Sequence, residues 1–97
     1  MAIRVLIADD QAMVRAGFRM ILEVERDMEV VGEAADGGQA LALARRARPD
    51  VVVMDIRMPG IDGIAATERL LAEVDPAPHV LMVTTFDDDE SLSAALR

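Results

Sequence analysis

The chain has 97 residues, 53% of them hydrophobic, with a formal net charge of −8 and no cysteine. Its length accommodates one domain, and its apolar fraction is high enough to form a core, which argues against intrinsic disorder. Because the chain has no cysteine, it can form neither disulfides nor thiolate metal sites. Its negative net charge argues against binding DNA or anionic lipid by charge. No run approaches the ~20 apolar residues that span a bilayer, so we expect a cytoplasmic protein.

Four apolar runs along the chain have the length of β-strands. They cover Ile3–Ala8, Glu29–Ala34, Val51–Met54 and Val80–Thr84. The first and third runs contain Val, Ile and Leu without polar alternation, which is typical of strands covered on both faces in a parallel sheet. The second run includes Gly32 and Glu33, which is more typical of a strand nearer the edge.

Helical patterns separate these runs. In the first pattern, Val14, Phe18, Ile21 and Leu22 form one apolar face, and the acidic Glu25 ends it. The second opens with a capping-box pattern at Asp36 and is ended by Pro49. The third begins near Asp62 and runs to the loop around Pro76, and a fourth is predicted from Asp87.

The resulting order of elements is βαβαβαβα. This alternation predicts a parallel sheet with right-handed crossovers, and four strands are too few for a closed barrel. We therefore predict an open, doubly wound α/β sheet. His79, beside Pro78, is predicted to lie in the loop before the fourth strand.

Polar side chains stand at the ends of three predicted strands. Asp9 and Asp10 follow the first strand, Asp55 follows the third, and Thr84 ends the fourth. In open α/β sheets the working site lies beyond the carboxyl ends of the strands. If the first and third strands are neighbours, their ends lie about 5 Å apart, so the three carboxylates would share one cleft. Taken singly, Asp9 or Asp10 is equally well explained as a helix cap, but the joint pattern indicates a site.

This pattern indicates a cation and phosphoryl chemistry. Two like charges ~4 Å apart repel by roughly 4 kcal/mol at an effective dielectric of 20, and a divalent ion relieves the repulsion. Oxygen-only ligands suit Mg²⁺. A carboxylate can act as a nucleophile and form an aspartyl-phosphate, and a threonine hydroxyl can hydrogen-bond a phosphoryl oxygen.

The segments around these residues resemble the receiver domain of two-component response regulators. The resemblance rests on Val5–Asp10, Val53–Gly63 and Val83–Phe86, and it extends over Ile3–Arg97. Its most specific part is the Asp-x-x-Met-Pro-x-x-Asp-Gly segment that begins at Asp55. The stretches Ala-Asp-Asp-Gln and Thr-Thr-Phe-Asp-Asp-Asp-Glu look most like FixJ/NarL/LuxR-type receivers, which precede a helix-turn-helix, DNA-binding output domain. The resemblance implies a flavodoxin-like (CheY-like) fold with strand order 2-1-3-4.

The resemblance also implies the roles of individual residues. Asp55 would accept a phosphoryl group from a sensor histidine kinase, Thr84 would bind that group, and Gly63 would let the next helix begin close to it. Asp10 would coordinate Mg²⁺ directly, and Asp9 directly or through water. Such a domain catalyses only its own phosphoryl transfer and slow hydrolysis, so it is not a metabolic enzyme, and it contacts neither nucleic acid nor membrane. The implied metal ligands are Asp9, Asp10, Asp55 and the backbone carbonyl of Arg57.

The chain departs from the family pattern at its C-terminal end. Receivers usually continue into a fifth strand, which carries a Lys, and a fifth helix, whereas here all ten basic residues are Arg and both elements are absent from the given chain. We therefore expect residues 1–97 to be an incomplete receiver from a longer polypeptide, with impaired phosphoryl retention. We also expect the fourth strand to be an exposed edge through which chains associate, as a homodimer or by swapping.

Two alternatives remain open. One is a Mg²⁺-dependent phosphohydrolase of the haloacid dehalogenase type, which also forms an aspartyl-phosphate. That chemistry normally needs a second Asp two residues after the first, as a general acid, and here Gln11 and Arg57 occupy the corresponding positions. The other is a degenerate receiver that only binds a partner. The intact acidic residues and Thr84 argue against it, whereas the missing Lys leaves it open.

Overall fold

Four parallel strands alternate with three helices in the computed structural model, which describes residues 2–83. In the sheet the second strand of the chain lies at one edge, followed by the first, the third and the fourth, which confirms the predicted order. Across residues 2–83, each helix is too short or too polar to cross a lipid bilayer. The predicted fourth helix, from Asp87, lies outside the described residues. The elements are β1 (Ile3–Ala8), α1 (Ala12–Glu23), β2 (Met28–Ala34), α2 (Gly37–Ala47), β3 (Val51–Asp55), α3 (Gly63–Glu73) and β4 (His79–Val83).

The two central strands are buried on both faces, which explains their continuous apolar sequence. Successive side chains of a strand point to opposite faces of the sheet. On one face, Leu6 and Met54 belong to the core that includes α2 and α3. On the other, Ile7 and Val53 form a smaller core against Phe18 of α1. Helices therefore cover both faces, as a doubly wound sheet requires.

The ends of α2 follow local signals in the sequence. Asp36 caps its N-terminus, because Oδ1 accepts a hydrogen bond from the backbone N–H of Gln39 at 2.8 Å. The Gln39 side chain reaches back and accepts from the N–H of Ala35 at 2.8 Å, one residue before the cap. The last residue of the helix is Ala47. Arg48, which caps this end just before Pro49, has a φ of 49°, in the left-handed region that terminates helices.

The structure corrects the predicted elements at several boundaries. β3 includes Asp55 as its last residue, and β2 begins one residue earlier than predicted. His79 is the first residue of β4 rather than a loop residue, because its N–H donates to the carbonyl of Asp50 at 2.9 Å and extends the parallel ladder. Thr84, the predicted end of β4, lies outside the described residues.

The predicted apolar face of α1 is also narrower than expected. Phe18 and Leu22 pack on the sheet, whereas Ile21 is 67% exposed and Glu25 lies beyond the end of the helix. Because consecutive helical residues are 100° apart, Ile21 lies on the flank of the face centred on Phe18. Spacing alone could not show where this face ends.

Candidate metal centre

Three carboxylates meet where β1 and β3 end. Ala8 of β1 pairs with Met54 of β3, so Asp9 and Asp55, each one residue further along, lie at the same level of the sheet. One carboxylate oxygen from each of Asp9, Asp10 and Asp55 lies within 4.8 Å of the other two. The structure thus brings together three of the site residues named from the sequence, because parallel strands place their carboxyl ends at one edge.

Asp9 is held in place by hydrogen bonds to three of its groups. Its N–H donates to the carbonyl of Ala34 in β2 at 3.0 Å. Its Oδ1 accepts from the N–H of Gln11 at 2.8 Å, and its carbonyl accepts from a guanidinium nitrogen of Arg15 at 2.7 Å. These contacts fix both the backbone and the carboxylate of Asp9.

Asp55 lies under a tight loop. The residue is 1% exposed, and its Oδ1 accepts from the N–H of Arg57 at 3.3 Å. The loop returns to the strand end at Gly63, whose N–H donates to the carbonyl of Ile56 at 2.8 Å. A Cβ on Gly63 would overlap the carbonyl oxygen of Asp55 and lie 2.8 Å from the Cα of Ile56. The absent side chain therefore lets α3 begin directly beside Asp55.

Replacing Gly63 by Ala should destabilise the fold. The added Cβ would meet backbone atoms, which cannot rotate away, so we expect the free energy of unfolding to fall by about 1–3 kcal/mol. Urea unfolding followed by circular dichroism measures this change. Gly17→Ala in α1 is the matched control, because within residues 2–83 an added Cβ there would meet no atom outside its own helix within 4 Å, and that variant should gain about 0.5–1 kcal/mol. Equal stability of the two variants would contradict the steric argument.

Burial raises the pKa of the Asp9 carboxyl above its ordinary value. Desolvation is the largest cause, and the charges of Asp55 and Asp10 raise this pKa further. The hydrogen bond from Gln11 and the charge of Arg15 act in the opposite direction. At an effective dielectric near 20, two carboxylates ~5 Å apart repel by about 3 kcal/mol. The cluster therefore carries a cost that a bound cation would remove.

The donor set fits Mg²⁺. All three side chains offer carboxylate oxygens, the hard ligands that Mg²⁺ prefers. Asp9 and Asp55 are buried and Asp10 is exposed, so the cluster is closed on its inner side and accessible from solvent at Asp10. Within residues 2–83, Oδ2 of Asp9 is buried and accepts no hydrogen bond, a costly arrangement unless a cation or water reaches it. Asp9, Asp10 and Asp55 would hold the ion.

Two further site residues were named from the sequence, Thr84 and Arg57. Thr84 lies outside the described residues. Arg57 is exposed, and a metal bond from its backbone carbonyl stays a prediction. Arg15 and Glu33, which form an ion pair beside Asp9, were not among the residues named from the sequence. The sequence feature that could have pointed to Arg15 was its position directly after Val14, at the border of the apolar face of α1.

Curated relatives match this chain closely over part of their own length. Oxygen regulatory protein NreC of Staphylococcus haemolyticus is 46% identical over 95 residues, which cover 97% of this chain and 43% of that protein. Transcriptional regulatory protein LiaR of Bacillus subtilis is 44% identical over 90 residues, which cover 93% of this chain and 42% of that protein. The chain thus spans less than half of the length of these relatives.

Solved structures and a family model agree with this likeness. The response regulator domain of CheB from Thermotoga maritima matches with a TM-score of 0.84 and 34% identity, covering 99% of this chain and 72% of that one. The signal receiver domain of NarL from Mycobacterium tuberculosis matches with a TM-score of 0.79 and 34% identity, covering 98% of this chain and 76% of that one. The model of the response regulator receiver domain matches residues 5–97. The chain therefore belongs to the response regulator receiver domain family, with relatives of the NarL/LuxR type.

Proposed function

We propose that this chain is the phosphoacceptor part of a cytoplasmic response regulator, and that Asp55 receives a phosphoryl group from a sensor histidine kinase. Phosphorylation would then switch an attached DNA-binding output. The observation that supports this most is the clustering of Asp9, Asp10 and Asp55 within 4.8 Å at the ends of β1 and β3. In a chain that belongs to the receiver family, this cluster joins a candidate nucleophile to candidate cation ligands.

The transfer is a displacement at phosphorus. A carboxylate oxygen of Asp55 forms a bond to phosphorus while the bond from phosphorus to the histidine nitrogen breaks, and the electron pair of that bond stays on the histidine. When bound, Mg²⁺ supplies charge neutralisation at the phosphoryl oxygens. Asp9 and Asp10 would hold the ion, and the N–H of Arg57 orients Asp55 by its hydrogen bond to Oδ1. Thr84 would bind the transferred group through its hydroxyl.

The local sequence disfavours a phosphohydrolase of the haloacid dehalogenase type. That reaction needs an acid two residues after the nucleophile, to protonate the leaving group. Here that position holds Arg57, and arginine is not a residue type that serves as a general acid. Phosphate monoesters would therefore be poor phosphoryl donors to Asp55, and sustained turnover on them is not expected.

The test uses acetyl phosphate as the phosphoryl donor, with Mg²⁺ present. We expect at most one equivalent of phosphate per chain, in a form that survives acid and is released by base, as an acyl phosphate is. Incorporation should require Mg²⁺, so a chelator should prevent it. Sustained hydrolysis of phosphate monoesters would favour the hydrolase, and cation binding without any incorporation would favour a receiver that only binds partners.

Association between copies of the chain stays a prediction. In the described part of the chain, β4 forms one edge of the sheet, and the apolar side chain of Leu81 is exposed on it. An open apolar edge strand is able to pair with another chain. Sedimentation measurements over a range of protein concentrations would detect such pairing.

A further inference from the structure

Arg15 connects two elements and the loop after β1 beside the acidic cluster. It lies in the first turn of α1, and its side chain is only 17% exposed. Its Nε donates to Oε1 of Glu33 in β2 at 3.1 Å, and a terminal nitrogen donates to the carbonyl of Asp9 at 2.7 Å. The guanidinium thus joins α1 to β2 and to the residue that follows β1.

These bonds determine how Asp9 presents its second oxygen. The backbone of Asp9 is held on one side by the carbonyl of Ala34 and on the other by Arg15. Its Oδ1 is occupied by the N–H of Gln11. The buried Oδ2 is the oxygen left for a ligand within the described residues, and its position follows from the backbone that Arg15 holds.

We propose that Arg15 is a positioning residue of the metal centre, which holds Asp9 in the orientation that binds a divalent cation and is itself held by Glu33. This inference rests on the proposed function, since it takes Asp9 as a metal ligand. Arg15 acts through Asp9 and does not contact the reacting atoms. Partners of metal ligands commonly change metal affinity by 10–100-fold when they are removed.

Two effects of Arg15 on cation binding have opposite signs. Its positive charge repels an incoming cation, so charge alone predicts that its removal tightens binding. Its hydrogen bond to the carbonyl of Asp9 orders the ligand, so positioning predicts that its removal weakens binding. The repulsion is offset because the charge of Arg15 is paired with Glu33 at 3.1 Å, whereas the hydrogen bond to the carbonyl of Asp9 has no substitute on the same helix. We therefore expect the positioning effect to dominate.

Arg19 provides a matched control on the same helix. It carries the same charge, and its Nε donates to the other oxygen of Glu33 at 2.7 Å. Its terminal nitrogen pairs with Glu23 rather than with Asp9. Removing Arg19 therefore disturbs the contact between α1 and β2 while leaving the bond to the carbonyl of Asp9 in place.

The experiment measures cation binding rather than phosphorylation. Mn²⁺ binding to the full chain is followed by electron paramagnetic resonance, and Mg²⁺ competition gives its affinity. We expect Arg15→Ala to weaken binding about tenfold. Arg15→Lys should weaken it about threefold, since lysine keeps the charge but lacks the planar set of fixed donors with which arginine bonds Asp9 and Glu33 at once. Glu33→Gln should also weaken it about threefold, and Arg19→Ala should stay within about twofold of the wild type.

The outcomes separate this inference from the function on which it rests. Wild-type chain that binds no divalent cation would overturn both. Wild-type binding that is unchanged or tighter in Arg15→Ala would overturn the positioning role alone, as would an equal loss in Arg19→Ala. Circular dichroism establishes that each variant is folded, and if Arg15→Ala does not fold, Arg15→Lys and Glu33→Gln decide the question.

Discussion

Replacing Asp55 by Asn should abolish phosphate incorporation from acetyl phosphate. The amide has almost the same shape as the carboxylate, and its oxygen can still accept the hydrogen bond from the N–H of Arg57. It lacks the anionic oxygen that attacks phosphorus, so the loss should be complete within the detection limit rather than partial. Labelling with radioactive acetyl phosphate, followed by acid precipitation of the protein, measures the incorporated phosphate.

The control for this experiment is Asp62→Asn, the same change only seven residues away. Asp62 is exposed and caps α3 by accepting from the N–H of Ala65 at 2.8 Å. Asn caps helices about as well as Asp, so this variant should be labelled like the wild type. Phosphate retained by Asp55→Asn, or lost equally in Asp62→Asn, would contradict the assignment of Asp55.

Replacing Asp9 by Asn should stabilise the chain in the absence of metal and nearly abolish cation binding. The substitution removes one buried charge from a cluster of three carboxylates. The repulsion between Asp9 and each of the other two is about 3 kcal/mol at an effective dielectric near 20, and relaxation of the solvent and the protein reduces this amount. We expect a net gain of about 1–3 kcal/mol in the free energy of unfolding. Because a direct ligand is lost, we also expect the affinity for Mg²⁺ to fall by roughly 100-fold, or about 2.8 kcal/mol.

The pKa of Asp9 explains the sign of this stability change. Because burial raises that pKa, the native chain binds a proton at Asp9 more tightly than the unfolded chain does. The contribution of Asp9 to stability is therefore most favourable below its unfolded pKa of ~3.9, and it is lost as the pH rises through the higher native pKa. The ionised carboxylate opposes folding, and the neutral amide of Asn does not.

Thermal unfolding with and without Mg²⁺ tests both parts of the Asp9 prediction. Mg²⁺ at ten times its dissociation constant should stabilise the wild type by about 1.4 kcal/mol and leave the melting temperature of Asp9→Asn unchanged. Asp27→Asn is the control, since this Asp is exposed and remote from the cluster in sequence, and its stability should change by no more than about 0.5 kcal/mol. A variant Asp9→Asn that is less stable than the wild type without metal would contradict the electrostatic argument.

Local patterns predicted much of the fold. The bounds of β1 match the prediction, since a continuous apolar run between polar residues has few other stable arrangements. Asp36 and Asp62 cap the helices expected to begin beside them, because capping depends on residues three or four positions apart. The convergence of the three carboxylates was also predictable, since it follows from a parallel sheet in which β1 neighbours β3.

Other features depend on contacts between residues far apart in the chain. His79 joins β4 because its N–H donates a hydrogen bond to the carbonyl of Asp50. The local sequence around either residue does not predict this bond. Ile21 is exposed because the sheet meets α1 along a line centred on Phe18. The bridge from Arg15 in α1 to Glu33 in β2 and to Asp9 after β1 joins distant segments, so spacing along the chain could not have indicated these partners.

The sequence by itself determined the order of strands and helices over the described residues, both ends of α2, the start of α3, and the residue types that gather at the carboxyl edge of the sheet. These depend on the period of apolar residues and on capping, which act over a few residues. Only the tertiary structure decided how deeply Asp9 is buried and which oxygen of its carboxylate is left for a ligand. It also decided that Arg15 donates a hydrogen bond to the backbone carbonyl of Asp9. Burial and orientation arise from packing between distant segments, and for this reason the electrostatics of the site could not be inferred from neighbours in the chain.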